Sequence, residues 1–244
     1  MIQAWGITDK GVVRTQNQDS YYLKQVQDDL VLAIVCDGMG GARAGNVASA
    51  LAVSTAADFL ESLSAEALLQ AAKDNLAQAA ALANEAIFLK AGIDADCHGM
   101  GTTMVAAIVT EQKAYILNIG DSRCYCIGEE GIEKVTRDHS VVEDLVHRGE
   151  ITPEEARLHP QKNLITRALG AEEKARCDLY EIEFKSGDAL LLCTDGLSNT
   201  LTDQELLYEA LYGGAGESCC QRMLDISLSR GAPDNVTAIY IQNR

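Results

Sequence analysis

The sequence contains little proline and no long apolar run. Only three of its 244 residues are proline, and no stretch rich in serine and glycine separates two halves, so we expect one domain with a sizeable core. The longest uninterrupted apolar run, residues 30–36, is far shorter than the ~20 residues that cross a bilayer. The N-terminal residues carry no basic leader, so no signal peptide is predicted.

The sequence also lacks cysteine patterns and an excess of positive charge. Its eight cysteines form no C-x-x-C pair and no Cys/His spacing typical of zinc, which favours a reduced, cytoplasmic compartment. Lys and Arg number 20 against 36 Asp and Glu, a formal net charge of −16. So negative a surface argues against nucleic-acid binding. It is compatible with divalent cations, although solubility explains most of it.

Apolar periodicity predicts strands and helices in blocks rather than in strict alternation. Strands are predicted at residues 2–8, 21–24, 30–36, 102–110, 113–119, 123–127, 177–184, 188–194 and 236–242. Helices are predicted at residues 44–63, 65–91, 141–147, 153–157, 203–211 and 217–230. Block ordering favours a layered α+β fold with antiparallel sheets and helices packed outside. The polar segment from residue 140 to about 167 is predicted to leave this core.

Acidic residues stand where apolar strands end. Asp37, Asp121 and Asp195 each follow such a strand, and Asp234 precedes the last one. Strands hold loop residues rigidly at one edge of a core, and carboxylates brought together there stay ionised only beside cations. Oxygen ligands favour Mg²⁺ or Mn²⁺. A single Asp-Gly pair is more often an ordinary turn, but three acids at strand ends favour a metal site.

Eight short motifs extend this pattern from residue 6 to residue 241. They are Arg14-Thr15-Gln16-Asn17-Gln18-Asp19, Asp37-Gly38-Met39-Gly40-Gly41, Gly101-Thr102-Thr103, Gly120-Asp121-Ser122-Arg123, Asp138-His139-Ser140, Thr166-Arg167-Ala168-Leu169-Gly170, Thr194-Asp195-Gly196-Leu197 and Asp234-Asn235-Val236-Thr237. Each motif is weak alone. Eight in this order resemble the metal-dependent serine/threonine protein phosphatases of type 2C, in their short bacterial form.

The resemblance implies an architecture and a reaction. The fold would be a four-layer α-β-β-α sandwich, two packed mainly antiparallel sheets flanked by helices. Residues 1–244 would form a single catalytic domain with a flap at about residues 140–167. Two Mn²⁺ or Mg²⁺ ions would hold a hydroxide that attacks the phosphorus of phosphoserine or phosphothreonine.

The resemblance also implies a role for each candidate site residue. Asp37 would bridge the two ions and orient the hydroxide, and Arg14 would bind the substrate phosphate. The remaining implied metal contacts are the carbonyl of Gly38, Asp195 and Asp234 in the core site, Asp121 with Asp195 at a third ion, and Asp19 through metal-bound water.

One part of the family pattern is missing. Eukaryotic members place a histidine two residues after the first metal-binding aspartate, where this chain has Met39. Many bacterial members carry a histidine just after the glycine pair, where this chain has Ala42. We expect His139, one of four histidines, to be a structural hydrogen-bonding residue. The group that protonates the leaving oxygen is therefore unassigned.

The leading interpretation is a monomeric cytoplasmic phosphatase that reverses bacterial Ser/Thr kinase signalling. Its partners would be phosphorylated proteins, namely a kinase and its substrates. Two alternatives stay open, a phosphatase for small phosphoesters or phosphohistidine and a metal-binding regulatory module without turnover. A phosphatase acting on an anti-sigma antagonist is disfavoured, because those relatives generally lack the flap. The sequence does not choose between Mg²⁺ and Mn²⁺.

Overall fold

Two antiparallel sheets organise the chain, whose computed structural model describes residues 1–39 and 44–244. The strands are β1 Ile2–Asp9, β2 Asp19–Gln27, β3 Leu30–Met39, β4 Gly101–Thr102, β5 Met104–Thr110, β6 Lys113–Ile119, β7 Arg123–Gly128, β8 Gly131–Lys134, β9 Asp178–Glu183, β10 Ala189–Cys193 and β11 Val236–Asn243. One sheet has the order β2-β3-β5-β6-β9, with β4 paired to β3, and the other has the order β1-β11-β10-β7-β8.

Helices cover the outer face of each sheet. They are α1 Gly45–Glu61, α2 Ala65–Gln70 and α3 Ala72–Ile93 on the first sheet, α6 Asp195–Ser198, α7 Asp203–Tyr212 and α8 Gly216–Ser229 on the second, and α4 Val141–His147 and α5 Pro153–Leu158 in the flap. A 3-10 turn at Ala95–Cys97 follows α3. The predicted α-β-β-α sandwich is confirmed. No helix in the described ranges is both long and apolar enough to cross a membrane.

Strand β3 explains why the core has two faces. Its even-numbered apolar residues from Leu30 to Cys36 pack against α1 and α3, whereas Val31, Ala33 and Val35 pack against the second sheet. Successive side chains of a strand point to opposite faces, so a continuous apolar run suits a strand covered on both sides. The sequence expectation for residues 30–36 is confirmed.

The prediction of a single helix at residues 65–91 is wrong, because helical geometry is interrupted at Ala71. This residue leaves helical geometry, with φ −137° and ψ 44°. The side-chain amide of Asn75 donates to the carbonyls of Ala67 and Leu68, at 2.9 and 3.3 Å. These bonds satisfy acceptors at the end of α2. The apolar spacing continues across the break, so periodicity alone gave no sign of it.

Three further elements differ from the expectation. The strand predicted at residues 102–110 is interrupted at Thr103, whose N–H donates to the carbonyl of Asp37 at 2.9 Å. Strand β8 was not predicted, since four residues of mixed polarity give too short a pattern. Helix α6 begins at Asp195 and spans only four residues, where a turn was expected.

The polar segment after β8 forms a flap with a narrow base. Ser140 and Ile165 pair as an isolated bridge, and the N–H of Val141 donates to the carbonyl of Leu164 at 2.9 Å. Between these roots, α5 begins with a capping box in which Thr152 and Glu155 exchange hydrogen bonds. The flap therefore returns to the core beside the position at which it left.

Candidate active site

A cleft of about 520 Å³ opens where strands of both sheets end. The predicted site residues that line it are Arg14, Asp37, Gly38, Asp121, Asp195 and Asp234. Asn163 and Ile165 of the flap form part of its wall. Asp19 is buried and lies opposite Asp37 in the β2–β3 ladder. The fold thus gathers all of the predicted site residues at one end of the sandwich, although they are far apart in sequence.

Asp37 is held through its backbone. Its N–H donates to the Oγ1 of Thr103 at 2.9 Å, and its carbonyl accepts from the Oγ1 of Thr102 at 2.7 Å. The Thr103 hydroxyl also shares a 2.6 Å hydrogen bond with that of Ser122. Both peptide groups of Asp37 are therefore fixed, and its side chain projects from a rigid strand end.

Gly38 is required by a close approach of two backbones. A Cβ atom at this position would lie 2.0 Å from the carbonyl oxygen of Gly45, at the start of α1, and 2.6 Å from that of Gln18. Backbone cannot move aside as a flexible side chain can, so only glycine fits. This contact sets Gly38 beside Asp37 at the wall of the cleft.

Asp19 joins the two sheets behind the cleft. Its Oδ2 accepts hydrogen bonds from the hydroxyls of Thr194 at 2.9 Å and Thr237 at 2.7 Å. Asp19 belongs to β2, whereas Thr194 follows β10 and Thr237 lies in β11. Its other oxygen, Oδ1, is buried and has no hydrogen-bond partner among the described residues.

Asp195 and Asp234 face the cleft from the second sheet. The Oδ2 of Asp195 accepts from Asn199 at 3.0 Å, and its Oδ1 is buried without a hydrogen-bond partner in the described part of the chain. Asp234 accepts a 2.7 Å charged hydrogen bond from Arg14. The Arg14 side chain is 49% exposed, so its guanidinium also faces solvent at the mouth of the cleft.

Burial and repulsion from neighbouring acids raise the pKa values of four carboxyl groups, those of Asp19, Asp37, Asp121 and Asp195. Burial raises the pKa of Asp19 to about 7, and the charges of Asp195 and Asp234 contribute. Burial likewise raises the pKa of Asp121 to about 7, and the charge of Asp195 makes the next largest contribution. The pKa of Asp37 lies well above its usual range, because it is buried among all four other acids. Such a cluster is costly unless cations compensate it.

A comparison with known proteins gives this arrangement a family. The family model for protein phosphatase 2C matches residues 12–216. The chain belongs to the protein phosphatase 2C family. A curated relative, "Serine/threonine phosphatase stp" of Listeria monocytogenes, is 36% identical over 239 residues, which is 96% of this chain and 93% of the relative.

Solved structures of this family superpose closely on the chain. Serine/threonine phosphatase Stp1 from Staphylococcus aureus matches with a TM-score of 0.93 and 35% identity, covering 100% of this chain and 96% of that one. The catalytic domain of the serine threonine protein phosphatase PstP, in complex with two manganese ions, matches with a TM-score of 0.86 and 33% identity, covering 99% and 97%.

The donor chemistry of the phosphatase 2C cleft fits hard divalent cations. Its carboxylates supply oxygen ligands, and the buried oxygens of Asp19 and Asp195 have unused acceptor capacity. Across residues 1–39 and 44–244, no three His, Cys, Asp or Glu side chains are already arranged so that they could hold an ion. One oxygen of Asp234 accepts a hydrogen bond from Arg14. The acids line the cleft but do not form a closed ligand set.

His139 lies outside the cleft lining and is almost fully buried, at 4% exposure. Its Nδ1 accepts from the N–H of Gly120 at 3.1 Å, and its Nε2 lies 3.0 Å from Asp178. Burial lowers the pKa of His139, and the nearby charge of Arg167 acts in the same direction. The expected structural role agrees with this geometry. Gly40, Gly41 and Ala42 lie outside the described residues.

Sequence reasoning missed the polar side chains that support the acids. Thr194 and Thr237 bind Asp19, and Asp178 binds His139. Asn235 donates to the carbonyls of Lys10 and Gln16, at 2.8 and 2.9 Å, and so holds the loop that carries Arg14. Thr194, Thr237 and Asn235 all lie within the motifs that carry the family resemblance. Their positions within these motifs marked them as candidates, but the sequence did not show which group each side chain contacts.

Proposed function

We propose that this chain is a metal-dependent protein serine/threonine phosphatase, which hydrolyses phosphoserine and phosphothreonine in proteins. The observation that carries the proposal is the convergence of Asp37, Asp121, Asp195 and Asp234 with Arg14 on one cleft. A phosphate ester brings negative charge to this position. Four carboxylates would repel it, so the site makes chemical sense only with divalent cations bound.

The residues that would hold the cations are the ones the cleft presents. Asp37, the carbonyl of Gly38, Asp195 and Asp234 would hold two Mn²⁺ or Mg²⁺ ions, and Asp121 with Asp195 would hold a third. Asp19 would bind metal-coordinated water through its free Oδ1. When bound, such ions supply an activated water for in-line attack on phosphorus.

Arg14 would bind the substrate phosphate. Its planar guanidinium offers paired donors that match phosphate oxygens, and the side chain is half exposed at the cleft mouth. Asn163 and Ile165 place the flap against the same cleft, so the peptide around the phosphoresidue would pass beside the flap.

His139 would not protonate the leaving oxygen. Both ring nitrogens are engaged by the protein, and the side chain is buried away from the cleft. Met39 lines the cleft where eukaryotic members have a histidine, and its thioether carries no transferable proton. Water held in the cleft is therefore our candidate for the general acid.

We also propose the cellular setting. The eight cysteines are free thiols, which suits a reducing cytoplasm. There the enzyme would act as a monomer, through a single catalytic domain, on the substrates of a bacterial Ser/Thr kinase.

The test is release of phosphate from a phosphothreonine peptide. We expect no release with a chelator, recovery when Mn²⁺ or Mg²⁺ is restored, and a loss of at least about a thousandfold in Asp37→Asn, because this carboxylate would bind both ions. Asp29→Asn, which removes an exposed acid in the β2–β3 turn, is the matched control and should retain wild-type turnover.

Two outcomes would point elsewhere. Mn²⁺ binding without release from any phosphoester, by folded protein, would indicate a regulatory metal-binding module. Release from phosphohistidine or small esters but not from the peptide would reassign the substrate and keep the site.

A further inference from the structure

Two residues hold the loop that carries Asp121: His139, and Asn118, whose side-chain amide donates to the carbonyl of Gly120 at 3.2 Å. Gly120 precedes Asp121, and its buried N–H donates to the Nδ1 of His139 at 3.1 Å. The N–H of His139 donates in return to the carbonyl of Gly120 at 2.9 Å. Gly120 adopts φ +101°, and a Cβ there would lie 2.6 Å from the Cγ2 of Thr103. The loop thus packs against Thr103 and is hydrogen-bonded to His139.

The hydrogen-bond pattern fixes the state of the imidazole. A backbone N–H can only donate, so Nδ1 must be the acceptor and Nε2 must carry the proton. That proton is donated to the Oδ2 of Asp178 at 3.0 Å. Arg167 donates to the other oxygen, Oδ1, at 2.7 Å. The same Arg167 nitrogen lies 3.1 Å from Nε2, a close contact and not a hydrogen bond when Nε2 carries the proton. Asp178 and Arg167 therefore orient a neutral ring so that its free lone pair faces Gly120.

His139 also stands at the base of the flap. Its carbonyl accepts a hydrogen bond of 2.7 Å from the N–H of Thr166, the residue before Arg167. Ser140, its neighbour, pairs with Ile165 across the flap base. His139 therefore lies where the flap leaves the core. It contacts the segment by which the flap returns, and it also contacts the Gly120–Asp121 loop.

We infer that His139 is a positioning residue, which fixes the Asp121 carboxylate relative to the base of the flap through the N–H of Gly120. The inference rests on the proposed function, in which Asp121 is a ligand of the third metal ion. Groups that orient metal ligands change metal affinity by about 10- to 100-fold when they are removed. Loss of the Gly120 contact should therefore weaken the third site while sparing the two core ions.

Two amide variants separate the two bonds of the imidazole. In His139→Asn the side-chain oxygen stands near the position of Nδ1 and can still accept from Gly120, whereas the bond to Asp178 is lost. In His139→Gln the amide nitrogen stands near the position of Nε2 and can still donate to Asp178, whereas the Gly120 acceptor is lost. Both variants keep the backbone bond from residue 139 to Gly120.

The experiment titrates the metal-free chain with Mn²⁺. Binding is measured by calorimetry and by electron paramagnetic resonance of Mn²⁺. Asp121→Asn marks which binding step belongs to the third site. We expect the dissociation constant of that step to rise about 10- to 100-fold in His139→Gln and to stay within about threefold of wild type in His139→Asn. The dissociation constants of the tighter Mn²⁺-binding steps should be the same in both variants as in the wild type.

Equal third-site affinity in His139→Gln and wild type would overturn the inference. So would equal weakening in both variants together with a lowered melting temperature, which is the signature of a merely structural residue. A wild-type protein that binds only two Mn²⁺ and still releases phosphate from the peptide would overturn it too, and would leave the proposed function standing.

Discussion

Arg14 brings a guanidinium to a cleft lined by four carboxylates. Its hydrogen bond to Asp234 is made without burial, since the two side chains are 49% and 32% exposed. An exposed ion pair contributes little to stability, so the pair is not what retains arginine here. The role we propose for it is phosphate binding, because a guanidinium donates paired, charged hydrogen bonds to phosphoryl oxygens, and these are stronger than neutral ones.

We therefore expect Arg14→Ala to lower kcat/KM for a phosphothreonine peptide by about 10- to 100-fold, which corresponds to one charged hydrogen bond of about 1.5–3 kcal/mol. Arg14→Lys keeps the charge but not the paired donors and should fall between the two. The melting temperature should change little. Lys185→Ala, at an exposed position far from the cleft lining, is the control. Unchanged kcat/KM in Arg14→Ala would remove this residue from the site.

At the residue scale, the acids were predictable and their supports were not. Asp37 and Asp195 follow apolar strands, and strand ends are recognisable in sequence. Thr194 and Thr237 bind Asp19 only because β2 of one sheet meets β10 and β11 of the other. Their contact depends on how two sheets pack, which no local pattern encodes.

At the element scale, the bonds to Asp19 tie the two sheets together beside the cleft. The sheets also meet through apolar side chains such as Val35, Leu192 and Ile239, which pack well but do not specify direction. The hydroxyls of Thr194 and Thr237 aim at one carboxylate oxygen and leave the other free. They thus fix both the registration of the sheets and the orientation of Asp19.

Thr237→Val tests this tie, because valine keeps the shape of threonine and removes its hydroxyl, which hydrogen-bonds to Asp19 and to the hydroxyl of Thr8. We expect the free energy of unfolding to fall by about 1–3 kcal/mol, because the buried carboxylate of Asp19 loses one of its two hydrogen-bond donors. Metal-dependent turnover should fall as well, since Asp19 loses its orientation. Thr237→Ser keeps the hydroxyl and should retain turnover. Equal losses in serine and valine variants would assign the effect to packing instead of the hydrogen bond.

Element boundaries show a similar division. The strand at residues 30–36 was predicted correctly, because an apolar run covered on both faces leaves a strong signal. The break at Ala71 was missed, because it depends on the side chain of Asn75 reaching back to α2. The strand order could not be read from residues at all and was given only by the family resemblance.

At the scale of the whole molecule, the cleft makes the metal-free protein sensitive to pH. The pKa of Asp19 and of Asp121 is raised to about 7, and that of Asp37 is raised well above its usual range, through burial among like charges. In the unfolded chain these carboxyls ionise near 4. Between those values the folded state binds more protons than the unfolded state, so the free energy of unfolding falls as pH rises. Above the folded-state pKa the full cost of the buried charges remains.

We therefore expect the chelated protein to melt at a lower temperature at pH 8 than at pH 6.5, by about 5 °C or more, given roughly 2–4 °C per kcal/mol for a chain of this size. His139 acts against this trend, because its folded-state pKa is lowered and the unfolded state therefore binds more protons near the usual pKa of 6.5. Saturating Mn²⁺ should reverse the trend, since cations bind the ionised carboxylates and protons compete with them. Scanning calorimetry at the two pH values, with and without chelator, measures both effects.

Asp37→Asn decides whether the cleft causes this pH dependence. Removing one buried charge should raise the melting temperature of the chelated protein at pH 8 and reduce the difference between pH 8 and pH 6.5. The same change should abolish turnover and the stabilisation by Mn²⁺. Asp29→Asn should leave every one of these quantities as in the wild type. If Asp37→Asn melted lower than the wild type in chelator, the acids would not be repelling one another. The cost that the cations are proposed to offset would then be absent.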